Sequence, residues 1–173
     1  MQTNITIRHA IRHDLPALTE IYNYYVCNTP ITFDVSPFEP HEREPWLNQF
    51  TENTRHQLLV VSQDGIVNGY ASSAPLRPKQ AYETSVECTI YLRPGSVGQG
   101  LGKQLYSALF SILADQDIHR CYGIITLPNE ASIRLHHAFG FKEVARLTEV
   151  GRKFDRYWDT LWMEKAMSRH GHL

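Results

Sequence analysis

Apolar residues return along this chain with two periods, and the period changes several times. Ile5 and Ile7 alternate with polar neighbours, which predicts a short first strand. Leu15, Leu18, Ile21, Tyr22 and Tyr25 then recur every three or four positions, the stripe of a helix that Asp14 would cap. An irregular piece over residues 28–33 follows. Pro37 and Pro40 bracket the approach to a second predicted helix carrying Trp46, Leu47 and Phe50. Two apolar runs, residues 57–63 and 66–76, flank Asp64-Gly65 and predict a hairpin. Over residues 84–92, Val86, Cys88, Ile90 and Leu92 alternate with Glu87, Thr89 and Tyr91, so the two sets face opposite sides of a strand.

Beyond the Pro94-Gly95 break the period lengthens again. Leu101, Leu105, Ala108, Leu109, Ile112 and Leu113 mark one face of a strongly amphipathic helix. Residues 118–127 are apolar and rich in β-branched side chains, as a central strand should be. Asn129, Glu130, Ala131 and Ser132 open a short helix that ends at Gly140, and residues 143–164 read as two strands turning around Gly151-Arg152-Lys153. Trp158, Leu161, Trp162 and Met163 are assigned to core or interface. Strand, loop, helix and strand over residues 84–127 make one βαβ unit whose strands run parallel. With no linker-like stretch and no repeat, the pattern predicts one α/β (α+β) domain over residues 1–166 and a polar tail at 167–173.

Composition narrows the function classes. At 173 residues, with 42% hydrophobic and 20% charged content, the chain suits a single soluble domain with a substantial core. A formal net charge of −1 provides no electrostatic footprint for nucleic acid or an anionic membrane. The N-terminus lacks a basic region followed by an apolar one, and no apolar run approaches the ~20 residues of a membrane span. A cytoplasmic location is therefore expected. Cys27, Cys88 and Cys121 are far apart and set in apolar runs, so they read as buried thiols, neither disulfides nor a zinc site. The nine histidines show no metal-ligand spacing, and His170 and His172 fall in the polar tail, so no metal is expected.

The most informative stretch runs Ser96-Val97-Gly98-Gln99-Gly100-Leu101-Gly102-Lys103. Glycines at a helix N-terminus let an anion approach unpaired backbone N–H groups and the positive end of the helix dipole. The spacing predicts a phosphate or pyrophosphate cradle, with a purely structural turn as the alternative. A dinucleotide fingerprint would need glycine where Lys103 stands. A Walker A loop would need glycine at Val97 and Ser or Thr at Gln104. Just upstream, Glu87 is either a salt-bridged or solvated glutamate or a carboxylate lining a cleft beside the cradle, where it would act as a general base. Downstream, Asn129, Ser132 and His136 form a polar stripe on the short helix, next to the apolar face of Ala131, Leu135, Ala138 and Phe139.

The loop Gln99-Gly100-Leu101-Gly102, together with Asn129-x-x-Ser132-x-x-Leu135-His136-x-x-x-Gly140-Phe141, resembles the two cofactor motifs of the GNAT superfamily of N-acetyltransferases. Val86-Glu87-x-Thr89-x-Tyr91 and the segment Gly151-x-Lys153-Phe154 with Trp158-Asp159 resemble its phosphinothricin N-acetyltransferase-like branch. The resemblance covers nearly the whole chain. It implies a mixed sheet of six to seven strands with flanking helices, whose two central parallel strands splay apart. Acetyl-CoA would be the co-substrate. Backbone groups of Ile90, Tyr91 and Leu92 would pair with its pantetheine arm. Val97, Gly98, Gln99, Gly100, Leu101, Gly102 and Lys103 would hold its pyrophosphate, with Asn129 and Ser132 as further contacts. Val97 departs from the usual Gln or Arg.

The same resemblance implies Glu87 as the base and His136 as the proton donor to the departing thiolate. It places Phe33 and Tyr82 as walls, and Arg77 and Lys153 as cations, around a small amino-acid-like amine. The alternatives are a satellite core contact for Phe33, surface charge for Arg77 and Lys153, and a structural role for His136. A homodimer is implied as well. Two rival readings remain: acetylation of a protein or peptide N-terminus, and an acyl-CoA-binding sensor without turnover.

Overall fold

The computed structural model describes residues 4–167; His170, His172 and the rest of the predicted tail from residue 168 lie outside them. Seven strands form one sheet, β1 (Ile5–His9), β2 (Leu58–Gln63), β3 (Ile66–Pro75), β4 (Ser85–Leu92), β5 (Arg120–Thr126), β6 (Lys142–Lys153) and β7 (Arg156–Ala166). Their spatial order is β1-β2-β3-β4-β5-β7-β6. Neighbours are antiparallel except for β4 and β5, the parallel pair expected from the βαβ unit.

The continuous apolar run of β2 follows from coverage on both faces. Leu58 and Val60 pack with Leu18 and Ile21 of α1 (Leu15–Asn28) on one face. Leu59 and Val61 pack on the other face with Leu101, Leu105, Leu109 and Leu113, the predicted stripe of a helix we number α3 (Leu101–Leu113). Asp64 and Gly65 close the β2–β3 hairpin with φ of 51° and 85°, the left-handed pair such a two-residue turn requires. The last helix, α4 (Glu130–Ala138), begins at Asn129, whose Oδ1 accepts from the Ser132 N–H at 3.2 Å. Among the described residues, no helix is long and apolar enough to cross a membrane.

Four local expectations are corrected. Asp14 occupies the N-cap position of α1, but its side chain does not cap the helix. Its buried carboxylate accepts from Arg8 at 2.7 and 2.8 Å and from the Ile11 N–H at 2.8 Å, closing the turn before the helix. The second helix, α2, is a single turn (Glu44–Leu47), and Phe50 lies beyond it. The β6–β7 turn is made by Phe154 and Asp155, at φ of 53° and 56°, so Gly151, Arg152 and Lys153 belong to the strand. Cys27 is exposed, whereas Cys88 and Cys121 are buried.

Candidate active site

The sheet opens in its middle. β4 and β5 pair only at Ser85–Arg120, Val86–Cys121 and Glu87–Tyr122, although β4 runs on to Leu92 and β5 to Thr126. On its other side β4 stays paired with β3 as far as Leu92. From Cys88 onward, the backbone groups of β4 that face β5 therefore have no strand partner, and Ile90, Tyr91 and Leu92 border a V-shaped slot. At its mouth β4, α3 and α4 converge on Gly102. A Cβ there would lie 3.4 Å from Ile90, 3.5 Å from Leu135 and 3.7 Å from Leu92.

The glycine loop stands above that mouth. Gly98 and Gly100 have φ of 86° and 79°, which L side chains rarely adopt, and open space surrounds both. Gly100 precedes α3, so the N–H groups of Leu101, Gly102 and Lys103 belong to a first helical turn with no intrahelical acceptor. Ser96 anchors the loop from below, donating through Oγ to Asn68 Oδ1 at 3.0 Å. Gln99 turns back on its own loop, donating to the Gly95 carbonyl at 2.9 Å, while Val97 is 57% exposed. The donors of the cradle are thus main chain.

The opposite face of β4 borders a cavity of about 610 Å³. Glu87, Thr89 and Tyr91 line it from the strand, and Arg77 and Phe33 line it from the connecting segments. Burial pushes the Glu87 carboxyl above its ordinary value, and the Arg77 charge offsets part of that shift. The Phe33 ring lies directly against the bare backbone of Gly151, where a Cβ would collide with it. Tyr22 closes the same side, its hydroxyl donating to Asp34 at 2.5 Å.

Three predicted residues stand elsewhere. Tyr82 is exposed on a short turn and does not line the cavity. Lys153 is buried and donates from Nζ to the Thr32 carbonyl at 2.8 Å, so its ammonium ties β6 to the segment bearing Phe33. Burial lowers its pKa, with Asp34 opposing the shift.

His136 is 2% exposed and packs on the α3 side of the sheet, against Tyr106, Phe141 and the backbone of Gly123. Its Nδ1 pairs with the Ser132 carbonyl at 2.8 Å and its Nε2 with the Tyr106 hydroxyl at 3.1 Å. Burial depresses its pKa, so the imidazole is neutral at pH 7. The implied proton donor is therefore a core histidine in this conformation, on the face opposite Glu87. The stripe itself is real, since Asn129 caps Ser132 and Ser132 holds His136. The strand glycine Gly123 was the sequence signal that a side chain would pack there.

Sequence reasoning missed several cavity residues. Arg43, Trp46 and Tyr70 form its far wall, and Thr160 and Trp162 reach it from β7. They come from three distant stretches of chain, with no local motif to connect them.

Comparison with known proteins fits this architecture. An acetyltransferase (GNAT) domain model matches residues 7–162. The chain is 49% identical over 165 residues to a phosphinothricin N-acetyltransferase of Streptomyces coelicolor, covering 94% of this chain and 96% of that one. It is 34% identical over 166 residues to an L-methionine sulfoximine/L-methionine sulfone acetyltransferase of Salmonella typhimurium, covering 96% of each. An acetyltransferase structure from Salmonella typhimurium, solved with acetyl-CoA, superposes with a TM-score of 0.90 at 33% identity, over 97% of this chain and 96% of that one.

Proposed function

The chain belongs to the GNAT acetyltransferase family, and on that premise we propose that it moves the acetyl group of acetyl-CoA to the α-amine of a small amino-acid-like acceptor. The acceptor class is that of phosphinothricin, methionine sulfoximine and methionine sulfone. Transfer is direct, within a ternary complex. The observation that carries this reading is Glu87, the last β4 residue still paired with β5, whose carboxyl stands in a cavity with its pKa raised by burial.

An amine is mostly protonated near pH 7 and must lose its proton to attack the thioester. A carboxylate with a raised pKa at the base of the slot is suited to take it, directly or through one water. Acetyl-CoA lies with its pyrophosphate on the N–H groups of the glycine loop and α3, and with its arm along Ile90 to Leu92. An unpaired β4 N–H then stabilises the developing oxyanion. The tetrahedral intermediate then collapses with breaking of its C–S bond, and the departing thiolate takes the remaining excess proton of the former amine nitrogen, while His136 holds Tyr106 and the β5 backbone in place. Arg77, beside Glu87, receives the acceptor's α-carboxylate, and Phe33 closes the acceptor in.

The test is thiol release from acetyl-CoA with a panel of acceptors. Phosphinothricin, methionine sulfoximine or methionine sulfone should accelerate release well above hydrolysis. Ready turnover of peptides or aminoglycosides with all three analogues ignored would overturn the reading. Tight acetyl-CoA binding with no acceptor-dependent release would favour a sensor.

A further inference from the structure

The far wall of the cavity holds a cation with no counter-charge. Arg43 is 5% exposed, yet among the described residues no carboxylate oxygen lies within ion-pairing distance of it. Three acidic side chains line the cavity; Glu87 stands beside Arg77, and the other two are engaged elsewhere. Asp34 accepts from Tyr22 at 2.5 Å, and Glu42 accepts from the Glu39 N–H at 2.7 Å. One Arg43 nitrogen donates to the Leu18 carbonyl at 3.0 Å. The guanidinium carbon lies 4.0 Å from the centre of the Trp46 ring and 4.5 Å from that of Tyr22. Two aromatic faces stabilise a cation only in part, and a buried unpaired charge costs stability. A guanidinium carries five N–H donors; beyond the Leu18 carbonyl and a hydrogen bond with the Tyr70 hydroxyl, donors are left for something that enters the cavity.

Its position says which part of an acceptor it would meet. Arg43 shares the wall with Tyr70, which pairs opposite Tyr91, four residues along β4 from Glu87, or about 14 Å. Arg77 stands at the other end, where Glu87 feels its charge. The α-carboxylate of an amino acid is one carbon from its amine, so it belongs to the Arg77 end. The Arg43 end is left for the terminus of the side chain.

Resting on the function proposed above, we propose that Arg43 is a subsite for an anionic, oxygen-rich head group at the end of the acceptor's side chain, such as a phosphinate. Its planar fork pairs two oxygens of such a group at once, and Trp46 and Tyr22 hold the fork in place. Arg43 thereby sets the preference for acid-headed over neutral acceptors.

The experiment compares kcat/KM for phosphinothricin and for methionine, in the wild type and in Arg43→Gln. The ratio of the two should fall about 30-fold in the variant, the scale of a charged hydrogen-bonded pair. Equal losses for both acceptors would show a purely structural arginine and overturn the proposal. If Arg43→Gln does not fold, as judged by its melting, Arg43→Lys carries the test. A point charge without the fork should lower the ratio several-fold, and equal losses again overturn the proposal. A second arm needs no turnover. Methylphosphinate titrated into the wild type should change the fluorescence of Trp46, which stacks on Arg43, saturably, and should do so far less in the variant. That response would uphold the subsite even if no acceptor is acetylated, which would defeat only the function proposed above. No saturable response in the wild type, or the same response in both proteins, would overturn it.

Discussion

The glycine loop and the cavity lie on opposite faces of one strand and are built from different materials. The loop is main chain. Gly95, Gly98 and Gly100, all at positive φ, and the first turn of α3 present their N–H groups within a few consecutive residues. The cavity is side chain. Tyr22 comes from α1, Phe33 from the segment after it, Arg43 from the turn before α2, Glu87 from β4 and Trp162 from β7. A backbone cradle should absorb most side-chain changes, because its donors do not depend on them. A cavity assembled from distant side chains should respond to each one separately.

The strongest way to break the comparison is at the point where the faces meet. Glu87→Gln keeps the shape and removes the proton acceptor, so kcat should fall about 10²–10⁴-fold while the acetyl-CoA Kd stays unchanged. In the wild type, kcat/KM should rise with pH through the elevated Glu87 pKa, above its ordinary 4.5, and the variant should lose that limb. The stability sign follows from the same shift. Because the folded pKa lies above the unfolded one, ionising Glu87 costs stability as pH rises through it. Glu87→Gln should therefore melt above the wild type at neutral pH and lose that advantage below pH 4.5. A variant with near-wild-type kcat and an unchanged pH profile would remove Glu87 as base.

A smaller effect is expected at Gly151. A Cβ there meets the Phe33 ring, which must move off β6, so Gly151→Ala should raise acceptor KM roughly tenfold and cost about 1–3 kcal/mol of stability. The acetyl-CoA Kd should not change. Equal shifts in both constants would mean that the two faces are not independent.

The smallest change belongs to the loop. Val97 is exposed and uncrowded, so Val97→Arg should tighten acetyl-CoA at most about tenfold at low salt, with the gain fading at high salt. Calorimetry at two ionic strengths measures it. A larger gain, or one that persists in salt, would show a side chain able to dominate a cradle we describe as main chain.

The same division explains what could be read from the chain before its structure. Periodicity located every strand, because β2 is apolar on both faces and β4 alternates between a helix-covered face and a cavity. The loop was legible because its chemistry is contiguous. Lys153 was not, since its partner, the Thr32 carbonyl, lies more than a hundred residues away. Tyr82 stands exposed on a short turn, and nothing in the local sequence fixes which way such a turn looks. The stripe of Asn129, Ser132 and His136 was correctly recognised as a unit. Which way it looks depends on Gly123 in another element, whose missing side chain admits the imidazole. Arg43 had no local signature at all, because its meaning comes from what fails to pair with it.

Mechanically, the sheet is two plates, β1 to β4 and β5 with β7 and β6, whose strand ladder is joined among the described residues by three residue pairs. Any rotation of one plate against the other would pivot at that joint. Displacement is then largest at the free ends, near Leu92 and Thr126, and smallest at Glu87, which belongs to the joint itself. Anything wedged between the plates would therefore spread them without carrying the carboxylate away from its place, much as a door opens without moving its hinge pin.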